Sequence, residues 1–230
     1  MSGDGDMATF RRMPGQRTEG RLITGAAISA LLVSMPLASA AAETRTFDFD
    51  DFNEVDIAAG VDATVTVGSD FAIAVEADEK DLERLRIEVK DRTLKISREY
   101  RGMSWSDGRG KIVATISMPT LVGIEASSGA SVVATGIDAG AFAIETSSGG
   151  SAEATGRCES LDADASSGSR LDAEALQCAR VVVDASSGAS VRAYADEEMT
   201  ADASSGASVK IFGDPARRDV SKSSGASVSY

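Results

Sequence analysis

Five carboxylates recur at one point of a repeating unit: Glu125, Glu145, Asp164, Asp184 and Asp202. Each stands two residues before the first serine of a Ser-Ser-Gly triplet. If the repeats stack as strands, neighbouring carboxylates lie about 4.8 Å apart. They then repel by roughly 1 kcal/mol per pair in water. Such a ladder offers the several oxygen ligands that Ca²⁺ takes. The other reading is a solvated acidic stripe, favoured because the glycine-rich nonapeptide of calcium-binding β-rolls is absent.

Cys158 and Cys178 each precede their unit's first serine by eight residues. Stacking brings them inside the roughly 4.4–6.8 Å Cα separation of a disulfide. The alternative is a pair of reduced thiols packed as small apolar groups; an oxidising compartment favours the bond. The paired serines invite a nucleophilic role, but the chain holds no histidine. That removes the usual general base, the Ser-His and Cys-His pairs and most zinc sites. Equivalent hydroxyls without an activating base are a repeat element, so neither an enzyme nor a cofactor is expected. A flat hydroxyl ladder for ice or sugar is a further reading, weakened by the adjacent acids.

These residues are placed by a repeat. The triplet glycines are Gly129, Gly149, Gly168, Gly188, Gly206 and Gly225, with gaps of 20, 19, 20, 18 and 19 residues. A period near twenty marks a solenoid in which each repeat forms one coil stacked on the last. Three residues before the first serine stand Ile124, Ile144, Ala163, Val183, Ala201 and Val220; five after it stand Val132, Ala152, Leu171, Val191, Val209 and Val228. Apolar residues at odd offsets and polar ones at even offsets are the period of a β-strand. The expected fold is an all-β parallel β-helix with coils of about 18–20 residues. Parity puts the second serine of each triplet inward (Ser128, Ser148, Ser167, Ser187, Ser205, Ser224), and the glycine where φ is positive or space is short.

Ahead of the coils, residues 1–40 read as an export signal, with Arg11, Arg12, Arg17 and Arg21 before the apolar run Leu22–Ala38. Ala38-Ser39-Ala40 supplies a cleavage site for Sec-type export to the periplasm or beyond. An uncleaved anchor is the alternative, its apolar run at the short limit for spanning. Residues 41–230 form a single domain: irregular strands over 44–120, then six coils over 121–230. Phe71–Ala77 reads as a strand, Asp78–Arg84 as a helical turn, and Leu85–Lys90 with Leu94–Arg98 as a hairpin. Arg101–Gly110 reads as a loop and Lys111–Met118 as a strand. Asp56-Ile57-Ala58-Ala59-Gly60-Val61 lays over Glu125-Ala126-Ser127-Ser128-Gly129-Ala130, as a degenerate first coil. The 69-residue step from Gly60 to Gly129 then holds two more coils or an inserted hairpin.

With 23 Lys plus Arg against 36 Asp plus Glu, the net charge of -13 repels nucleic acid and acidic lipid. In the last coil Arg218 and Lys222 take inward-parity positions, beside Arg217. Inward charge at a solenoid end discourages further stacking, while the halt at Tyr230, mid-coil, leaves end-to-end self-association open.

Phe52-Asn53-Glu54-Val55-Asp56-Ile57, Ala74-Val75-Glu76-Ala77-Asp78-Glu79, Leu94-Lys95-Ile96-Ser97 and Ile116-Ser117-Met118-Pro119-Thr120-Leu121 carry a resemblance. With the small-residue repeats that follow, they resemble the putative auto-transporter adhesin, head GIN domain family. The resemblance implies a right-handed β-helix in an exported bacterial protein, without established catalytic residues. The expected role is a non-catalytic envelope or secreted module that binds a glycan or another envelope component. The alternatives are a lyase-like enzyme on acidic polysaccharide, which needs a basic groove, or a structural envelope protein without ligand.

Overall fold

The computed structural model describes residues 42–68, 70–99 and 110–230. The expected signal segment and most of the expected 101–110 loop lie outside these residues. The described chain is a β-solenoid. Its strands in order are β1 (Glu43–Phe47), β2 (Glu54–Ile57), β3 (Val61–Val67) and β4 (Ala72–Ala77), then helix α1 (Glu79–Arg84), β5 (Leu85–Lys90), β6 (Thr93–Arg98), β7 (Ile112–Met118) and β8 (Gly123–Ala126). The long strands β9 (Ser131–Thr146), β10 (Ser151–Ala165), β11 (Arg170–Ala185) and β12 (Ser190–Ala203) follow, then β13 (Ser208–Phe212), β14 (Arg217–Lys222) and β15 (Ser227–Ser229).

Each coil has two faces joined at a corner, which in six of them is the Ser-Ser-Gly triplet. One face stacks β7, β3, the first halves of β9 to β12, then β13 and β15, all parallel. The other stacks β6, β2, β8, the second halves of β9 to β12, then β14. Between them lies a dry column of Ile, Val, Leu and Ala: Ile144, Leu161, Leu171, Val183, Val191 and Ala201 are each at most 1 % exposed. A coil alone cannot cover its apolar side, so stacking and folding are one event.

The corner is a tight turn. In every triplet the second serine and the glycine both have positive φ, 50 to 54° for the serines and 70 to 79° for the glycines. The residue after the glycine donates its N–H to the first serine's carbonyl, as Ala130 does to Ser127 at 3.1 Å. Two successive left-handed residues closed by that bond are a type I′ turn. The turn reverses the strand parity locally, which corrects one sequence expectation: the second serines Ser128, Ser148, Ser167, Ser187, Ser205 and Ser224 point outward and are exposed. The inward positions fall on the residues flanking the turn, such as Ala126, Ala130, Ala185 and Ala189. A Cβ added to any triplet glycine meets nothing within 4 Å, so φ and not crowding calls for glycine there. The turns are themselves stacked by bonds such as Gly149 N–H to the Ser167 carbonyl at 3.2 Å.

At the far corner the register shifts, between Ala154 and Gly156, Ala173 and Gln177, and Cys178 and Arg180. The one- and two-residue differences in coil length are absorbed there. Cys158 and Cys178 sit in register on that corner and are joined by a disulfide with a Cα–Cα distance of 4.5 Å. Closing a loop of this size stabilises by about 3 kcal/mol in the chain-entropy model.

The degenerate first coil is present: Asp56 pairs with Glu125 and Ile57 with Ala126, and Ala59 and Gly60 carry the same positive φ pair. The step to Gly129 holds one more coil, β6 and β7, together with an insert. That coil stacks on the opposite side of β2 and β3 from β8 and β9. The earliest coil in sequence is therefore the second in space. Antiparallel strands finish this end, β5 against β6 and β4 with β1 against β7.

Candidate functional site

The acids Glu125, Glu145, Asp164, Asp184 and Asp202 stand side by side in parallel register on the outer face of β8 to β12. Each projects outward because it alternates with a buried neighbour, as Glu145 does between Ile144 and Thr146. The structure extends the line at one end. Asp56 pairs with Glu125, and Lys95 of β6 pairs with Asp56, its Nζ donating to Oδ2 at 2.6 Å. The place of Asp56 was legible in the degenerate coil; Lys95 was not, because it belongs to an inserted hairpin whose partner strand the repeat does not name.

The first serines form a second line beside the acids. Together Glu145, Asp164, Asp184, Asp202, Ser166 and Ser204 line a shallow groove of about 390 Å³. Toward Lys95 it continues as a notch of about 230 Å³, floored by the small residues Gly123 and Ala143 and walled by Glu54, Glu125 and Asp162. Among the described residues no three His, Cys, Asp or Glu side chains converge as the ligands of one metal ion. The carboxylates weighed as a Ca²⁺ ladder run in a line instead, one per coil.

Burial, and after it the crowding of like charge, shows in the proton affinities of two of these acids. Glu125 holds its proton more tightly than a free glutamate, first through burial and then through Asp56 and Glu145, with Lys95 opposing. Asp164 is raised likewise by burial, then by Asp162, Asp184 and Glu145. Lys95 is raised by its hydrogen bond to Asp56. A carboxyl raised on folding takes up its proton more readily in the native state, so its contribution to stability grows as pH falls through the folded pKa. That contribution is lost as pH rises above it. The melting temperature of wild type, relative to Glu125→Gln/Asp164→Asn, is therefore expected to rise on acidification from neutrality toward the ordinary carboxylate range near pH 4. Calorimetry across that range checks it; parallel profiles for the two proteins would remove the ladder's electrostatic cost.

The opposite face is different. There Arg192 pairs with Asp172 and Glu174, and its guanidinium and the Lys210 ammonium lie over the Phe212 ring. Opposite charges pair on that side, whereas the charged residues lining the acid-and-serine groove are all acids.

Comparison with known proteins adds to this geometry. A "putative adhesin" of Bacteroides fragilis NCTC 9343 superposes with a TM-score of 0.63 at 20 % identity, over 83 % of this chain and 97 % of its own. A "putative lipid binding protein" of Parabacteroides distasonis ATCC 8503 gives 0.51 at 17 % identity, over 82 % and 96 %. A "putative adhesin" of Parabacteroides merdae ATCC 43184 gives 0.50 at 14 %, over 82 % and 95 %. At these identities the likeness is one of fold. No curated protein matches the chain. A family model matches residues 51–215, which span the inserted strands and five of the Ser-Ser-Gly coils. The chain therefore belongs to the putative auto-transporter adhesin, head GIN domain family.

Proposed function

We propose that this chain is an exported, non-catalytic binding module of the cell envelope, adhesin-like, whose contact surface is the acid-and-serine groove. The family and the disulfide suit an exported protein in an oxidising compartment. In this reading the leader is cleaved near Ala40, and the module works in the periplasm or outside the cell. The carrying observation is the register: carboxylate beside carboxylate and serine beside serine, coil after coil. Groups repeated at one interval suit a ligand that is itself periodic. Each contact is weak and solvent-exposed, and many engaged together give avidity.

A glycan chain or a repetitive envelope polymer carrying hydroxyl or ammonium groups is the ligand class that this lining fits. The neighbour described as lipid-binding raises a second class, but a groove lined by carboxylates and hydroxyls offers an acyl chain little apolar surface. The test is a glycan array containing neutral, acidic and amino sugars, probed with wild type and with Asp164→Asn/Asp184→Asn/Asp202→Asn. Wild type is expected to hold a subset of glycans, and the triple variant to lose about tenfold or more in affinity. Equal binding by the two proteins would place the contact elsewhere. Release of unsaturated sugar from pectin or alginate would make the protein an enzyme.

A further inference from the structure

We infer that the coil formed by β14 and β15 is a closed cap, in which Arg218 bars the solenoid from adding strands of a second copy of this chain. The position of Arg218 belongs to the core. It pairs in register with Met199, which is fully buried, and the matching residues in earlier coils are Val181, Leu161 and Phe142, each at most 2 % exposed. Among the coils of β9 to β12 and β14, only this last one carries a guanidinium in that column. It is turned out across the end of the stack and held by three contacts. Nε donates to the Pro215 carbonyl at 2.8 Å, Nη2 pairs with Asp214, and the guanidinium lies 4.9 Å from the Tyr230 ring centroid.

Beneath this cover the template for another coil is complete. β14 pairs only with β12 and β15 only with β13, so each has an outer edge without a strand partner among the described residues. Val220, Ala226 and Val228 continue the inward columns and are only partly buried. The last turn has the same positive φ pair, Ser224 and Gly225. In each earlier triplet the glycine N–H donates to a serine carbonyl of the next coil, ending with Gly206 to Ser224 at 3.1 Å; among the described residues Gly225 makes no such bond. An edge of this kind pairs readily with a like edge, and a second copy carries the same coil. The charges oppose it: joining two such ends would strip water from the Arg218–Asp214 pair and from Lys222, a loss that the new strand pairing must exceed. The coil lies past residue 215, where the family match stops.

The experiment is light scattering on the full protein across a concentration series. Wild type is expected to remain monomeric. Arg218→Leu, which restores an apolar inward residue, is expected to associate on the order of a hundredfold more tightly. Arg218→Met, which repeats the residue that Met199 places in the same column one coil earlier, should associate likewise. It serves as the deciding variant if Arg218→Leu fails to fold. Adding Val220→Lys should return both to monomers. Monomeric Arg218→Leu with an unchanged circular dichroism spectrum, or association that survives Val220→Lys, overturns the inference.

Discussion

Arg98→Ala is expected to lower the folding free energy by about 3–5 kcal/mol, the cost of stripping a buried carboxylate of its partner. The Arg98 and Asp81 side chains are 10 % and 6 % exposed, and Nη1 donates to Oδ1 at 2.9 Å. Asp81 sits in the first turn of α1, where Asp78 caps the helix by accepting from the Asp81 N–H at 2.8 Å. Arg98 also does the work of a missing repeat. Its Nη2 donates to the Ala59 carbonyl at 3.3 Å, and Ala59 holds the turn position that a second serine holds in later coils. There the donor is the glycine N–H of the preceding coil; the β6–β7 coil has no such triplet, so a guanidinium takes its place.

Lysine carries the charge but not the fork, and cannot reach a carboxylate and a carbonyl together. Arg98→Lys should thus recover only part of the loss. Asp81→Asn/Arg98→Met should recover more than either single change, since no lone charge is left buried. Urea unfolding followed by circular dichroism measures all four. A loss below about 1 kcal/mol for Arg98→Ala would mean that the pair is solvated as a surface pair is.

Gly150→Ala is expected to destabilise by about 2–3 kcal/mol, although the repeat itself recommends the change. Four of the other five units carry alanine at this position: Ala130, Ala189, Ala207 and Ala226. Replacing glycine with alanine at a compatible site usually stabilises by about 0.4–1 kcal/mol. This site is not compatible. An added Cβ would lie 2.2 Å from the Ala126 carbonyl oxygen, 2.6 Å from its carbon and 3.0 Å from the Ser127 nitrogen, all of them backbone. Nothing there can swing aside.

The surroundings differ from the other units as well. Thr146 replaces the usual alanine before the turn, and its hydroxyl shares a buried 2.9 Å bond with Ser169, which also donates to the Thr146 carbonyl at 2.9 Å. Gly129→Ala is the control. Its Cβ has open space but a φ of +74°, so its cost should stay near the 1–2 kcal/mol of a left-handed residue. Thermal unfolding orders the pair, and a smaller loss for Gly150→Ala than for Gly129→Ala would sink the steric account.

The chain by itself determined the coil. Alternation of apolar and polar residues around six triplets spaced 18 to 20 residues apart defines strand, inward face and stacking together, because like residues must lie over like for the apolar columns to close. From that register alone followed the row of acids, the alignment of Cys158 with Cys178 and the kinship of Asp56 with Glu125. Parity failed at the second serine, because two successive left-handed residues turn the chain over, and a rule written for extended backbone cannot see that reversal. What only the tertiary structure decided are the places where neighbours in space are strangers in sequence. They include β6 and β7 lying outside β2 and β3, Lys95 closing the acidic line, Arg98 supplying a turn's missing donor, and the backbone pressed against Gly150. A repeat dictates what each coil resembles; its ends and exceptions are set by atoms from distant segments, which no periodic pattern encodes.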